Sequence, residues 1–249
     1  MLNWRLITRM LGFLLFIEAG LMFLCQLVCW IYGEGMDDFV LPICVALLLG
    51  GLGVLLGRNA GKSMGRKDGY IIVSFIWVLF TLIGMLPFLL GNHVPDVASA
   101  FFETMSGFTS TGATIIDDVD SMPHGILFWR SLTQWIGGIG IVFFTIAILP
   151  AFGVGEVKLF AAESTGPLHD KVHPRISIAV RWIGGVYIAL TLLCVIALLM
   201  CGMPLFDAVT MSFGTAGTGG FSPRSSGMAD YTVYQQGVIM VFMMLFGIN

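Results

Sequence analysis

Six long apolar runs, at about 10–31, 40–56, 70–90, 125–151, 176–201 and 232–249, divide the chain. Each approaches the roughly 20 residues that a bilayer-spanning helix needs, so the pattern predicts six membrane helices joined by polar connections. A seventh apolar stretch does not fit that scheme. Phe101, Phe102, Met105 and Phe108 share one helical face, but the helix they predict is only about eight to ten residues long, too short to span. It runs into TSTGAT at 109–114, which has four hydroxyl side chains, one glycine and no Lys or Arg nearby.

A non-helical backbone between membrane segments is tolerated only where protein or water satisfies its N–H and C=O groups. The stretch therefore reads as a re-entrant pore loop, with a plain Ser/Thr-rich turn as the alternative. A helix C-terminus aimed into a cavity presents partial negative charge, and inward-turned carbonyls replace a cation's hydration shell. Gly112 supplies torsions that a Cβ resists. Ser110, Thr111 and Thr114 add hydroxyl oxygens or stiffen the loop, and Ala113 adds backbone.

The pattern occurs a second time. PLFDAVTMSFGTAGTGGFS at 204–222 sets Phe206 and Asp207, like Phe102 and Glu103, before a short apolar helix and a Thr/Gly run. Aligning STGAT at 110–114 with GTGGF at 217–221 pairs Gly112 with Gly219 and makes the second short helix a few residues longer. Gly217 and Gly220, which flank Thr218 and Gly219, stay open as register alternatives. The chain thus reads as an all-α integral membrane protein. An N-terminal two-helix segment and cytoplasmic loop (1–69) precede a first helix/pore-loop/helix repeat (70–151), a cytoplasmic linker (152–175) and a second repeat (176–249). Both repeats cross in the same direction, unlike the halves of inverted-repeat transporters.

Composition agrees: 57% hydrophobic and 11% charged residues, with a mean hydropathy of +0.93, belong to a membrane protein. A net charge of −3 gives no reason to expect a nucleic-acid partner. The basic residues alternate between connections. Arg5 and Arg9, then Arg58, Lys62, Arg66 and Lys67, then Lys158, Lys171, Arg175 and Arg181 mark the cytoplasmic side and place the N-terminus there. The opposite connections carry Glu34, Asp37, Asp38, Asp96, Asp117, Asp118, Asp120, Asp207 and Asp230, with Arg224 their single basic residue. Such acidic vestibules concentrate cations.

Several features carry no chemistry of their own. The first apolar run is long and lacks a small-residue cleavage site, so it reads as a retained helix and not a signal peptide. Cys25, Cys29, Cys44, Cys194 and Cys201 lie in or beside apolar runs and read as packing residues. GRNAGKS at 57–63 spaces its glycines by three residues where a phosphate loop has four. GLGVLLG at 51–57 is also too long for a dinucleotide fingerprint, and Gly53 and Gly57 read instead as close helix packing. His93, His124, His169 and His173 lie in connections without metal-ligand spacing, and nothing suggests an enzyme.

FFETMSGFTSTGAT at 101–114, HGILFWRSLTQWIGGIGIVFFTIAILP at 124–150 and SFGTAGTGGFSP at 212–223 together resemble the TrkH branch of the Trk/Ktr/HKT potassium transporters. The resemblance runs the whole length and includes the two N-terminal helices that shorter Ktr subunits lack. It implies potassium uptake across the bacterial cytoplasmic (inner) membrane through a pore surrounded by four such repeats. A glycine of each loop would sit at one narrow filter, so Ser110, Thr111, Gly112, Ala113, Gly217, Thr218, Gly219 and Gly220 are the candidate potassium contacts. It further implies no cofactor, a TrkA-like cytosolic nucleotide-binding regulator, and a homodimer with one pore per protomer. Two repeats stand where the family has four, so the chain is expected to be the N-terminal half of a longer protein. The remaining half would hold two filter loops, the gate loop of the third repeat and the basic pore-lining residue of the fourth.

Arg130, just inside a membrane helix, is expected to pair with Glu103 of the short helix, the alternative being a side chain that snorkels to the interface. Gly137, Gly138 and Gly140 read as close packing against the pore helix more than as a hinge. Glu18 reads as one end of a structural hydrogen bond at a helix contact. Two other functions fit the same residues: a non-conducting membrane scaffold, and a sodium-selective or sodium-coupled cation transporter.

Overall fold

The computed structural model describes residues 2–60, 66–148 and 172–248, so most of the expected linker, with His169, lies outside the described residues. Those residues form nine helices and no strand. Helix α1, Trp4–Tyr32, begins where the Asn3 side chain accepts the Leu6 N–H and ends at Gly33, whose φ of 69° is left-handed. Helix α2, Asp37–Leu56, follows at once with Asp37 and Asp38 in its first turn, where negative charge complements the helix dipole.

The two helices form an antiparallel hairpin on a glycine seam. A Cβ at Gly12 would lie 2.6 Å from the Gly50 carbonyl oxygen, and one at Gly53 would lie 2.8 Å from that of Thr8. Gly57 closes against the Arg5 carbonyl in the same way. Small residues spaced by three and four let the two backbones touch, so this contact needs no buried polar side chain.

The third apolar run is not one helix. Helix α3, Arg66–Gly84, stops at Met85, and α4, Leu86–Leu90, resumes for five residues. Pro87 has no N–H to return to the preceding turn and its ring crowds that turn, which breaks the ladder. The Gly84 carbonyl, whose helical donor Phe88 N–H bonds Met85 instead, accepts the Trp129 Nε1–H at 2.8 Å, so this part of the break is satisfied from a neighbouring helix. Asp96 then caps α5, Val97–Phe108, by accepting the Ser99 N–H at 2.8 Å. That cap starts α5 four residues ahead of Phe101 and gives it 12 residues, more than the apolar face alone predicts.

Helix α6, His124–Ile148, is held at its start by Glu34, whose carboxylate accepts the N–H groups of His124 and Gly125. Then follow α7, Val172–Met200, α8, Leu205–Ala216, and α9, Val233–Gly247, which opens with a Thr232/Gln235 capping box. The order helix, short helix, loop, helix thus occurs twice. Helix α8 also has 12 residues, so the second short helix is not longer than the first.

Two cores result. One joins α1–α6 around Met22, Phe39, Phe88, Phe108 and Trp129; the other packs Cys194 and Leu198 of α7 against Met211 and Ile239. Outside them the surface is apolar: Leu56 is 70% exposed, Trp182 72% and Met200 84%. The spans Trp4–Tyr32, Asp37–Leu56, Ile71–Leu90 and Arg181–Met200 are long and apolar enough to cross a bilayer, and so much exposed hydrocarbon requires lipid around it. The chain is a multi-pass membrane protein. A further expectation fails. Glu18 is buried, yet neither carboxylate oxygen has a hydrogen-bond partner, because its neighbours on the buried face of α1 (Leu15, Ala19 and Met22) pack into an apolar core.

Candidate functional site

Both short helices end in the same turn. After α5, Ser110 N–H bonds the Gly107 carbonyl and Thr111 N–H bonds that of Ser106; after α8, Thr218 N–H bonds Thr215 and Gly219 N–H bonds Gly214. This is the Schellman pattern, whose left-handed position is ordinarily glycine. Here it is Ser110, with φ 55°, and Thr218, with φ 51°. Two residues on, Gly112 (φ 74°) and Gly220 (φ 90°) are left-handed again. The turns therefore pair Gly112 with Gly220, one residue beyond the Gly219 that sequence alignment selects. Counting back from the turn sets Glu103 opposite Met211, not Asp207, so matching the Phe–acid pairs misplaces the register.

The two turns meet on one face of α6. Gly137 lies against the Phe108 carbonyl at the end of α5, and a Cβ on Gly138 would lie 2.8 Å from Gly217 Cα at the end of α8. Adjacent glycines thus receive two helix C-termini, each carrying the negative pole of its macrodipole. Backbone meets backbone between the loops as well, since a Cβ on Gly112 would run into the Gly219 carbonyl oxygen. Gln134 sits at this junction. Its Oε1 accepts the Phe221 N–H at 3.0 Å, and its own carbonyl accepts the Ser110 hydroxyl at 3.5 Å. The opposite faces of the loops are open: Thr111, Ala113, Thr114, Thr218 and Gly220 are exposed.

Glu103 and Arg130 form an ion pair beneath the first loop, Nε to Oε1 at 2.7 Å, with side chains 0% and 2% exposed. Burial at this level is tolerable only if the remaining lone pairs and protons find partners, and they do. Glu103 accepts the Thr114 hydroxyl and the Ile115 N–H, while Arg130 Nη2 donates to Thr114 Oγ1 at 3.1 Å. Arg130 Nη1 also donates to the Ser222 carbonyl at 3.2 Å, and its guanidinium lies 4.2 Å from the Phe221 ring centroid. One arginine therefore holds both loops.

The second loop has its own acid, used differently. Asp207 Oδ2 accepts Arg224 Nη2 at 2.9 Å and the Tyr231 hydroxyl at 3.0 Å. Burial, and next the Asp207 charge, push the Tyr231 phenol up from its ordinary value. At the first loop's entrance the Ser99 N–H and hydroxyl hold the Asp96 carboxyl down. Ser225 joins the outer segments, its Oγ accepting the Val119 N–H at 2.9 Å. Among the described residues no cluster of His, Cys, Asp and Glu has the arrangement of a metal centre.

All eight candidate residues fall in these two turns, at unequal positions: Gly217 is buried against α6, whereas Thr218 and Gly220 face outward. Gln134 is not singled out by the sequence, and Glu34 is read there only as one of the acids on the outer side. An amide between Thr133 and Trp135 in an apolar helix was the available signal for the first; an acid in a short connection gives none for the second.

The family model for TrkH, described as a cation transport protein, matches residues 36–249. The Trk system potassium uptake protein TrkH of Salmonella typhimurium is 39% identical, over 100% of this chain and 52% of that protein. The Trk system potassium uptake protein TrkG of Escherichia coli is 34% identical, over 92% and 48%. The crystal structure of the potassium transporter TrkH from Vibrio parahaemolyticus is similar with a TM-score of 0.84 at 32% identity, over 100% of this chain and 50% of that one. The chain spans about half the length of the curated relatives it matches. With a family match over most of its length and the same fold over all of it, the chain belongs to the TrkH family of cation transport proteins.

Proposed function

We propose that residues 110–113 and 217–220 are two filter segments of a potassium-uptake pore that works by permeation, without covalent chemistry. The observation that carries this reading is the convergence of the α5 and α8 C-termini on Gly137 and Gly138, each followed by the same left-handed turn. Each helix end presents roughly half a negative elementary charge. Carbonyl and dipole ligands attract a cation yet release it, as conduction requires. The potassium uptake named for the relatives supplies the ion.

In this reading Ser110, Thr111, Gly112 and Ala113 of the first loop, with Gly217, Thr218, Gly219 and Gly220 of the second, form the ion path. Gly112 and Gly220 are structural counterparts within it. Glu103 and Arg130 fix the loops from behind. Residues 70–151 and 176–249 are two repeats, 1–69 a flanking hairpin with its cytoplasmic loop and 152–175 a cytoplasmic linker. The Lys and Arg distribution supports a cytoplasmic N-terminus in a bacterial inner membrane. A complete pore takes two further repeats, and the assembled protein is a homodimer gated by a TrkA-like nucleotide-binding partner.

The test is growth of a potassium-uptake-deficient bacterium at low potassium, with residues 1–249 joined to the two further repeats of the family. The joined protein should restore growth, and Gly112→Ser should impair it at equal membrane abundance. Failure of the unsubstituted protein to restore growth would contradict the reading.

A further inference from the structure

Gln134 is fully buried, and its Nε2 has no hydrogen-bond partner in the structure. A buried amide with an orphan donor is unfavourable, whereas a methionine of similar size would bring no polar side-chain group into the core. The amide's other end is engaged: Oε1 accepts the Phe221 N–H at 3.0 Å, which also fixes which end of the carboxamide is oxygen. The peptide is trans, so the Phe221 N–H and the Gly220 carbonyl point in opposite directions. Fixing that N–H to α6 turns the Gly220 carbonyl away from α6, on the side where Gly220 is exposed. The side chain packs against both loops: a Cβ on Gly219 would lie 2.5 Å from Gln134 Cδ, and one on Gly112 3.4 Å from its Nε2.

From this we infer that Gln134 is a specificity-determining positioning residue: its Oε1 aims the Gly220 carbonyl at the ion path and braces the junction of the two loops. The inference rests on the pore reading above. Glu103 braces the first loop at a different place, accepting the Ile115 N–H at 3.0 Å, two residues beyond the counterpart of Phe221. The two loops are thus held by unlike groups, a carboxylate on a short helix and an amide on α6.

The experiment measures potassium and sodium uptake by the joined protein reconstituted in liposomes, for Gln134→Met and Gln134→Glu. Loss of one neutral hydrogen bond should lower the potassium-to-sodium uptake ratio of Gln134→Met by roughly three- to tenfold. Its thermal midpoint should change little, because the stranded Phe221 N–H takes the place of the orphan Nε2 donor. Gln134→Glu keeps an acceptor for Phe221 and should hold the ratio closer to that of the unsubstituted protein. An unchanged ratio in Gln134→Met, including equal loss of both fluxes, would overturn the inference and leave Gln134 a packing role. Absence of potassium uptake in the unsubstituted protein would instead overturn the pore reading on which the inference rests.

Discussion

Arg130 Nε lies 2.7 Å from Glu103 Oε1, and Nη1 of the same guanidinium holds the Ser222 carbonyl of the other loop. The pair is therefore a joint between two loops separated by about a hundred residues of chain. Arg130→Ala strands a buried carboxylate and should cost about 3–5 kcal/mol. The double change Glu103→Gln, Arg130→Gln should recover part of that loss. Thermal unfolding in detergent of Arg130→Ala, of each single Gln change and of the double checks the expectation, and strictly additive losses in the Gln variants would contradict it.

Gly219 and Gly220 separate steric from torsional demands. A Cβ on Gly219 meets the Gln134 side chain, whereas Gly220 has open space around it and a φ of 90°. Gly220→Val should cost about 1–3 kcal/mol from strain alone, and Gly220→Asn less, since Asn tolerates left-handed torsions better. Gly219→Ala combined with Gln134→Ala should be milder than Gly219→Ala alone. No comparable rescue is expected at Gly220. Midpoints for the four proteins decide between the two registers.

Thr218 is a β-branched residue held at φ 51°, where the Schellman turn favours glycine. Thr218→Gly should stabilise the protein by about 1 kcal/mol, less than the full strain because glycine is freer when unfolded. If the strain serves the filter, the same change should lower potassium uptake. A variant that is both more stable and fully active would show that Thr218 is incidental.

Much of this arrangement is legible in the sequence because the bilayer imposes it. Runs of apolar residues marked the six long segments, and the short helices stood out through their failure to reach spanning length. What escaped was set by local hydrogen bonding. Asp96 lengthens α5, Pro87 divides the third run, and the turn after Ala216 shifts the second loop by one residue. The Glu103 and Asp207 match misled because the two acids answer different arginines, Arg130 on the following helix and Arg224 within the loop. The hydrogen bond expected of Glu18 fails for the opposite reason: its surroundings are apolar and offer the carboxylate no partner.

Residues 1–249 expressed by themselves should insert but fail to support growth at low potassium. On the pore reading, two loops leave the exposed faces of Thr111, Ala113, Thr218 and Gly220 without the rest of a pore wall. Backbone groups facing lipid cost several kcal/mol each. Co-expression of the remaining family half should restore growth, and growth on the fragment alone, with expression verified, would contradict this expectation.

The most direct measurement is the potassium-to-sodium uptake ratio of the joined protein in liposomes, for the unsubstituted protein beside Gly112→Ser and Gly220→Ser. If the two turns form the filter, the unsubstituted protein prefers potassium and both substitutions lower the ratio at equal reconstitution. A ratio unchanged in both would contradict the assignment of these turns to the ion path.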